Sequence, residues 1–350
     1  MLSLNNIDIV AGKNVLITGG TGSLGKTITR ILLEKSDVKK IIIFSRDELK
    51  QFEMQKEFND IDTSTKLRYF IGDIRDKDRC FMALRNVNIV FHTAALKHVP
   101  AAEYNPFEFV KTNILGSQNI IEVSIERGVE RVIALSTDKA ANPINLYGST
   151  KFCADKLFVA GNQYSGDIGT IFSVVRYGNV IGSRGSVIPF FLKQRQNGYL
   201  PITHKEMTRF WITLPEAANF VINCLSEMVG GEIFIPKIPS MKIVELANTL
   251  APECELKDVG IRPGEKLHEI MLPEEVARDS LEFDEYYIIK PSIGLSAEKL
   301  SSWEKGKPCP NGFSYTSDNN DKWATEDEIK RNILDLKIEG IDKIKKEWGY

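Results

Sequence analysis

"NVLITGGTGSLGKTITRILLEK", residues 14–35, joins an apolar, β-branched run (14–18) to a glycine-rich stretch (19–25) and then to a segment of helical length. The glycines satisfy GxGxxG from Gly20 and TGxxGxxG from Thr18. Alone, that pattern is weak. Between a strand and a helix it has a physical use, because small residues let backbone N–H groups approach a pyrophosphate at the positive end of a helix.

Outward from that stretch, short apolar runs alternate with helical-length segments: "KIIIFS" (40–45), "LRYFIGD" (67–73), "NIVFH" (88–92), "RVIALS" (131–136) and "TIFSVVR" (170–176). Strands this uniformly apolar predict a parallel sheet covered on both faces, with ligands outside the strands' carboxyl ends. The expected fold class is α/β, a Rossmann-type doubly wound parallel sheet with a smaller, irregular α/β substrate-binding lobe. After about residue 178 the rhythm gives way to Gly- and Pro-rich stretches such as "GNVIGSRGSVIPFF" and "IRPGEK". Residues 12–178 are therefore assigned to the nucleotide-binding domain, with 207–236 returning to it, and 179–345 to the lobe. The tail from about 300 reads as polar loop and then a charged helix packed on the surface.

Composition bounds the function. A net charge of −2, with 43% hydrophobic and 26% charged residues, is ordinary for a globular protein and gives no field suited to nucleic acid or an anionic membrane. Small-molecule partners are expected. The five cysteines have no zinc-like spacing, and neither do His92, His98, His204 and His268, so no metal is expected. The N-terminus lacks a signal-peptide pattern and no run approaches a membrane span, so a cytoplasmic protein with buried thiols is expected.

The end of the second strand selects the dinucleotide. An acid there favours a free ribose 2′-hydroxyl and an arginine a 2′-phosphate. The chain has Ser45-Arg46-Asp47, which favours NADP, while Asp47, also a good helix cap, leaves NAD open. Asp73, ending the third strand, is placed for the adenine or for a strand-end turn. Further on, Tyr147 and Lys151 lie four apart in a predicted helix and share one face. A neighbouring ammonium favours a phenolate over a phenol of pKa about 10, which makes the tyrosine a usable base. YxxxK recurs at Tyr286 and Lys290 within a strand-like run, where the alternation separates the two side chains.

Taken together, "ITGGTGSLG", "FSRDELKQ", "AALKHVPAAEYNP", "KTNILGSQN", "ALSTDKAANPINLYGSTK", "VVRYGNVIGSRGSVIPFF", "MTRFWIT", "GGEIFIPKIPSMK" and "GIRPGEKLHE" resemble the extended short-chain dehydrogenase/reductase family, and within it the inverting 4,6-dehydratases of UDP-N-acetylglucosamine. The likeness runs over about residues 12–320. Thr93 departs from it, standing where alanine is more usual. Common retaining dehydratases put Asp-Glu after the threonine; here "STDKA" (136–140) puts Asp-Lys.

The resemblance implies C4 oxidation of the sugar, loss of water across C5 and C6, return of the hydride to C6 and inversion at C5, the first step towards pseudaminic acid or a related sugar. It implies NADP as cofactor and a homo-oligomer built on dimers, up to a hexamer. It makes Tyr147, Lys151 and Thr137 the C4 oxidation group, Asp138 the acid at C6 and Lys139 the base at C5. The cofactor would be held by Gly19, Thr21, Gly22, Ser23, Leu24 and Gly25, and then by Ser45, Arg46, Asp47, Glu48, Leu49 and Lys50. Asp73, Ile74, Thr93, Ala94, Lys97, Asn113, Ser136, Thr137, Tyr147 and Lys151 would complete its site. UDP-sugar contacts fall to Lys97, Asn179, Val180, Arg184, Thr208, Arg209, Arg262 and Glu265, the arginines as bidentate partners of a pyrophosphate. Competing readings are a retaining dehydratase or C4/C5 epimerase on the same scaffold, and a non-catalytic NADP-sensing regulator. Such regulators can lose the Tyr/Lys pair, which this chain has. Membrane-anchored relatives share the Thr-Asp-Lys run but carry a transmembrane region and tend to have methionine at the position of Tyr147.

Overall fold

The computed structural model describes residues 3–182, 187–294, 297–336, 338 and 340–349. Strands β1 (Asn14–Thr18), β2 (Lys40–Ser45), β3 (Leu67–Ile71), β4 (Ile89–His92), β5 (Arg131–Thr137) and β6 (Ile171–Tyr177) lie parallel in the order β3-β2-β1-β4-β5-β6. Strand order reverses between β1 and β4, which opens a crevice at their carboxyl ends. Ile233–Pro236 adds a further parallel strand beside β6. Tyr286–Ile289, Ser280–Glu282 and Lys307–Pro308 then extend the sheet antiparallel. The expected doubly wound sheet is present, and residues 280–308, sequentially within the lobe, also build it.

Both faces are buried, as the continuous apolar runs require. Successive side chains point to opposite faces. Leu16, Phe44, Val90 and Val132 therefore pack on one side with Cys80, Ile120 and Phe158. Val15, Ile17, Ile41, Ile43 and Ile133 pack on the other with Ile28 and Leu32 of α1 (Ser23–Lys35) and Met54 and Phe58 of α2 (Glu48–Phe58).

The lobe has a core of its own, in which Ile188, Leu200, Ile202, Met207, Trp211, Met241 and Leu246 meet Ile329 and Ile333 of the helix Glu326–Leu334. The tail departs from the expected surface loop. Lys307–Pro308 is an edge strand, Tyr315–Thr316 pairs with Ile270–Leu272, and the Tyr315 hydroxyl donates to the Ile238 carbonyl at 2.8 Å. Among the described residues no helix is long and apolar enough to cross a membrane, and no cluster of His, Cys, Asp and Glu could hold a metal ion.

Candidate active site

The glycine loop is a cradle shaped by the absence of side chains. Gly19 has φ +64°, and a Cβ there would lie 2.9 Å from the Ala94 Cα; one on Gly25 would lie 2.6 Å from the backbone of Gly20. Gly22 caps α1 without a side-chain acceptor, so the first-turn N–H groups of Ser23, Leu24 and Gly25 point out of the helix without intrahelical partners. Thr21 is buried in the same turn. This donor set and the space above it fit the pyrophosphate of a dinucleotide.

The loop after β4 is fastened to β1 by a polar relay. Ala94 N–H donates to Thr18 Oγ1 at 3.2 Å, Thr18 Oγ1 lies 2.9 Å from His92 Nδ1, and Thr93 Oγ1 donates to the Thr18 carbonyl at 2.7 Å. His92 Nε2 lies 3.3 Å from Ser117 Oγ, which donates to the Asn113 carbonyl. Since Ser117 gives its proton to Asn113, the ring must carry its hydrogen on Nε2. Burial, aided by the Lys151 charge, pushes His92 down to about 3, so it stays neutral. Asn113 sits in a π-helical turn, Val110–Leu115, a form frequent at functional sites. Its amide is spent on Leu96 N, Leu96 O and Thr150 Oγ1, so it joins the 93–98 loop to the helix Leu146–Tyr164.

At the end of β2, Asp47 accepts from Lys50 N at 3.0 Å as the N-cap of α2 and pairs with Lys50 Nζ at 2.7 Å. Those bonds hold its carboxyl below its usual range. Arg46 is half-exposed, with Nη1 3.6 Å from Asp73 Oδ2. Asp73 is committed more closely to Arg75, at 2.7 and 2.8 Å. The Ser45 hydroxyl accepts from Gln51, Ile74 is buried beneath this edge, and Glu48 and Leu49 open α2, Leu49 exposed.

The helix Leu146–Tyr164 comes unusually close to the turn Asp138–Ala140. A Cβ on Gly148 would lie 2.2 Å from the Lys139 carbonyl oxygen, so only glycine permits this approach. Asn145 caps the helix through Gly148 N and donates to the Gly264 carbonyl, both at 2.8 Å. Tyr147, Thr137, Asp138 and Lys139 are thereby brought together, with Lys151 one turn further along the same helix face. Burial pushes Tyr147 up to about 12, opposed by the Lys139 charge and a hydrogen bond with Thr137. Burial also lowers Lys151, opposed by the Asp155 charge. Ser136 Oγ donates to Asp155 Oδ2 at 2.8 Å, and Arg176 pairs with the same oxygen at 3.1 Å, so the Ser136 hydroxyl serves the framework beneath the site.

Lys139 Nζ lies 3.0 Å from Asp138 Oδ1 and 3.2 Å from Glu269 Oε1. Glu269 lies in the quoted "GEKLHE", yet the sequence reading gave it no role. Nothing local could assign one, because 130 residues separate it from Lys139. Burial lowers Lys139, but the two carboxylates outweigh it and hold the ammonium above its ordinary range. Burial and the Glu269 charge raise Asp138; Lys139 and Arg209 outweigh burial at Glu269 and lower it. Lys97 faces this cluster from the 93–98 loop, depressed by its surroundings and by the Lys139 charge. Tyr177, ending β6, is a further phenol near Tyr147 that the sequence reading passed over.

Of the expected UDP-sugar residues, Arg262 is exposed and forked on Glu265 with two 3.0 Å bonds. Arg209 is buried, its guanidinium spent on Thr208 O, Leu267 O, Lys266 O and Glu265. The Thr208 hydroxyl lies between His268 Nδ1 and Ser317 Oγ and so points into the lobe. Asn179 and Val180 form a short strand beside Trp211 and Ile212, Asn179 exposed. Arg184 lies outside the described residues.

Residues 15–291 match the model of a family described as polysaccharide biosynthesis proteins. The UDP-N-acetylglucosamine 4,6-dehydratase (inverting) of Campylobacter jejuni subsp. jejuni (strain 81-176) is 57% identical over 91% of this chain and 96% of its own. The UDP-glucose 4-epimerase of Rickettsia rickettsii (strain Sheila Smith) is 38% identical over 93% and 96%. The X-ray structure of Pen from Bacillus thuringiensis superposes with a TM-score of 0.82 at 38% identity, covering 93% of this chain and 98% of that one. With the glycine cradle, the parallel sheet and the Tyr147–Lys151 helix already in place, these likenesses make the chain a member of the polysaccharide biosynthesis protein family and an extended short-chain dehydrogenase/reductase.

Proposed function

We propose that the protein is an NADP-dependent UDP-N-acetylglucosamine 4,6-dehydratase that inverts C5, a lyase supplying the 4-keto-6-deoxy sugar from which pseudaminic acid or a related sugar is made. The observation that carries the reading is the ion pair of buried Asp138 with partly exposed Lys139 beside Tyr147. An enzyme that only oxidised and reduced C4 would have no use for a second acid and base at that place. Residues 12–178, with 207–236, hold the cofactor in this reading, and 179–345 hold the UDP-sugar, Arg262 taking a phosphate as a planar fork.

A nicotinamide dinucleotide held by the glycine cradle would supply the redox chemistry, hydride removal at C4 and hydride return at C6. Tyr147, as the phenolate that the Lys139 charge favours against burial, takes the C4 hydroxyl proton, while Thr137 orients that oxygen and Lys151 orients the cofactor ribose. With C4 a ketone, the C5 proton becomes acidic. Asp138 and Lys139 share a hydrogen bond of 3.0 Å, so one proton moving from Lys139 to Asp138 turns the ion pair into a neutral amine and a carboxylic acid. The pair's net charge is zero before and after that step, which creates both groups that elimination needs. Lys139 then removes the C5 proton, and Asp138 gives its own to the C6 oxygen, which leaves as water.

We also read the protein as a cytoplasmic homo-oligomer. The exposed Phe107, Leu115, Phe152 and Tyr164 supply apolar surface for self-association, and a monomer in sedimentation would count against it. Incubation with UDP-N-acetylglucosamine in deuterium oxide tests the chemistry. NMR should report a 4-keto-6-deoxy product with deuterium and an inverted configuration at C5. The D-xylo product would leave dehydration standing without inversion. A UDP-N-acetylgalactosamine product would favour the epimerase reading, and NADP binding with no conversion would favour the regulator.

A further inference from the structure

Glu269 is paired with Lys139 at 3.2 Å, yet the elimination above gives it no task. Glu269 and Asp138 are both almost wholly buried, and each has one oxygen on Lys139 Nζ. Their other oxygens, Asp138 Oδ2 and Glu269 Oε2, have no hydrogen-bond partner among the described residues. Two buried carboxylates thus flank one ammonium, and the arrangement is lopsided. Arg209 Nε stands 3.5 Å from Glu269 Oε1, whereas Asp138 receives only the Thr137 hydroxyl besides Lys139. Glu269 is also fixed along its backbone, its N–H donating to Ser317 Oγ at 2.9 Å and its carbonyl accepting from Ser317 N at 2.8 Å.

We propose that Glu269 is a positioning residue for elimination: it anchors the Lys139 ammonium together with Asp138 and, as the carboxylate that stays ionised, makes Asp138 the one that carries the proton. Like charges this close cannot both be cheaply ionised, and the cations sit on the Glu269 side. The directions of the shifts agree, with Asp138 raised by burial and by Glu269, and Glu269 lowered by Lys139 and Arg209. The other groups facing the cluster are Lys266, whose Nζ donates to the Ala141 carbonyl, Tyr147, Lys97, Arg176, and Glu265 on the far side of Arg209.

The inference rests on the dehydratase reading, and wild-type conversion of UDP-N-acetylglucosamine tests that reading separately. If the wild type turns over, Glu269→Gln tests the positioning role. Removing one negative charge lowers the pKa of both neighbours, so both limbs of the bell-shaped pH profile of kcat should move to lower pH, by about one unit or more. NADP affinity and melting temperature should stay near the wild-type values. Glu269→Asp keeps the charge but draws it back by one methylene, and should move the limbs in the same direction by less. An unmoved profile in both variants overturns the role. So does loss of NADP binding and melting temperature in Glu269→Gln with an unmoved profile in Glu269→Asp, which would make Glu269 a packing residue.

Discussion

Arg46 and Asp47 divide two tasks that their adjacency leaves ambiguous in the sequence. Either could face the adenosine ribose. The structure commits Asp47 to capping α2 and to Lys50, while Arg46 keeps a half-exposed guanidinium with only a 3.6 Å contact to Asp73. Charge-assisted hydrogen bonds of the kind an arginine makes to a phosphate contribute roughly 1.5–3 kcal/mol. Arg46→Ala should therefore weaken NADP binding by about ten- to a hundredfold and leave NAD nearly unchanged, as read by titrating each cofactor against intrinsic fluorescence. Equal wild-type affinities for the two would remove the NADP assignment. At this scale the sequence spacing put Tyr147 and Lys151 on one helix, and the structure has both in Leu146–Tyr164, although the cation that acts on the Tyr147 phenol is Lys139. Glu269 was not legible, because its charge matters only where a distant segment meets the end of β5.

Elements were legible in proportion to their length and periodicity. The six apolar runs become β1–β6, β1 and β2 to the residue and the other four with ends moved by one or two, since strand ends depend on where neighbours stop pairing. Thus β3 ends at Ile71 rather than Asp73, and β5 runs on through Thr137. The helix Leu146–Tyr164 was expected from its pattern, but its tight seat on the turn Asp138–Ala140 was not, because close approach leaves no mark except a glycine. That glycine can be tested. A methyl group on Gly148 would sit 2.2 Å from a backbone oxygen that cannot rotate away, so helix and turn must separate. Gly148→Ala should cost about 1–3 kcal/mol in stability, a typical overpacking loss, and should lower kcat more than it weakens NADP binding. Thermal melts and single-turnover rates measure the two. Wild-type values for both would mean that the contact gives way without consequence.

Over the whole molecule, the lobe and the sheet are joined through the part of the chain whose sequence looked least structured. Two-residue strands such as Lys307–Pro308 and Tyr315–Thr316 are too short to show a period, so the tail reads as loop even though several of its side chains are buried. Tyr315 is 4% exposed, Ser317 0%, Ile329 1% and Ile333 0%, values of a core rather than a surface. Burying one large apolar side chain stabilises by about 1.5–3 kcal/mol, against a net stability of about 5–15 kcal/mol for a typical domain. Loss of Tyr315, Ile329 and Ile333 together is thus comparable to the whole margin. It would also remove the Ser317 hydroxyl and backbone N–H that hold Glu269 beside Lys139. Truncation after Lys305 should therefore give a chain that aggregates or melts well below the full-length protein. Any soluble fraction should bind UDP-N-acetylglucosamine and turn it over far less well. Circular dichroism melts and product NMR on the truncated chain decide the matter, and full-length melting temperature with full turnover would return the tail to the status of surface packing.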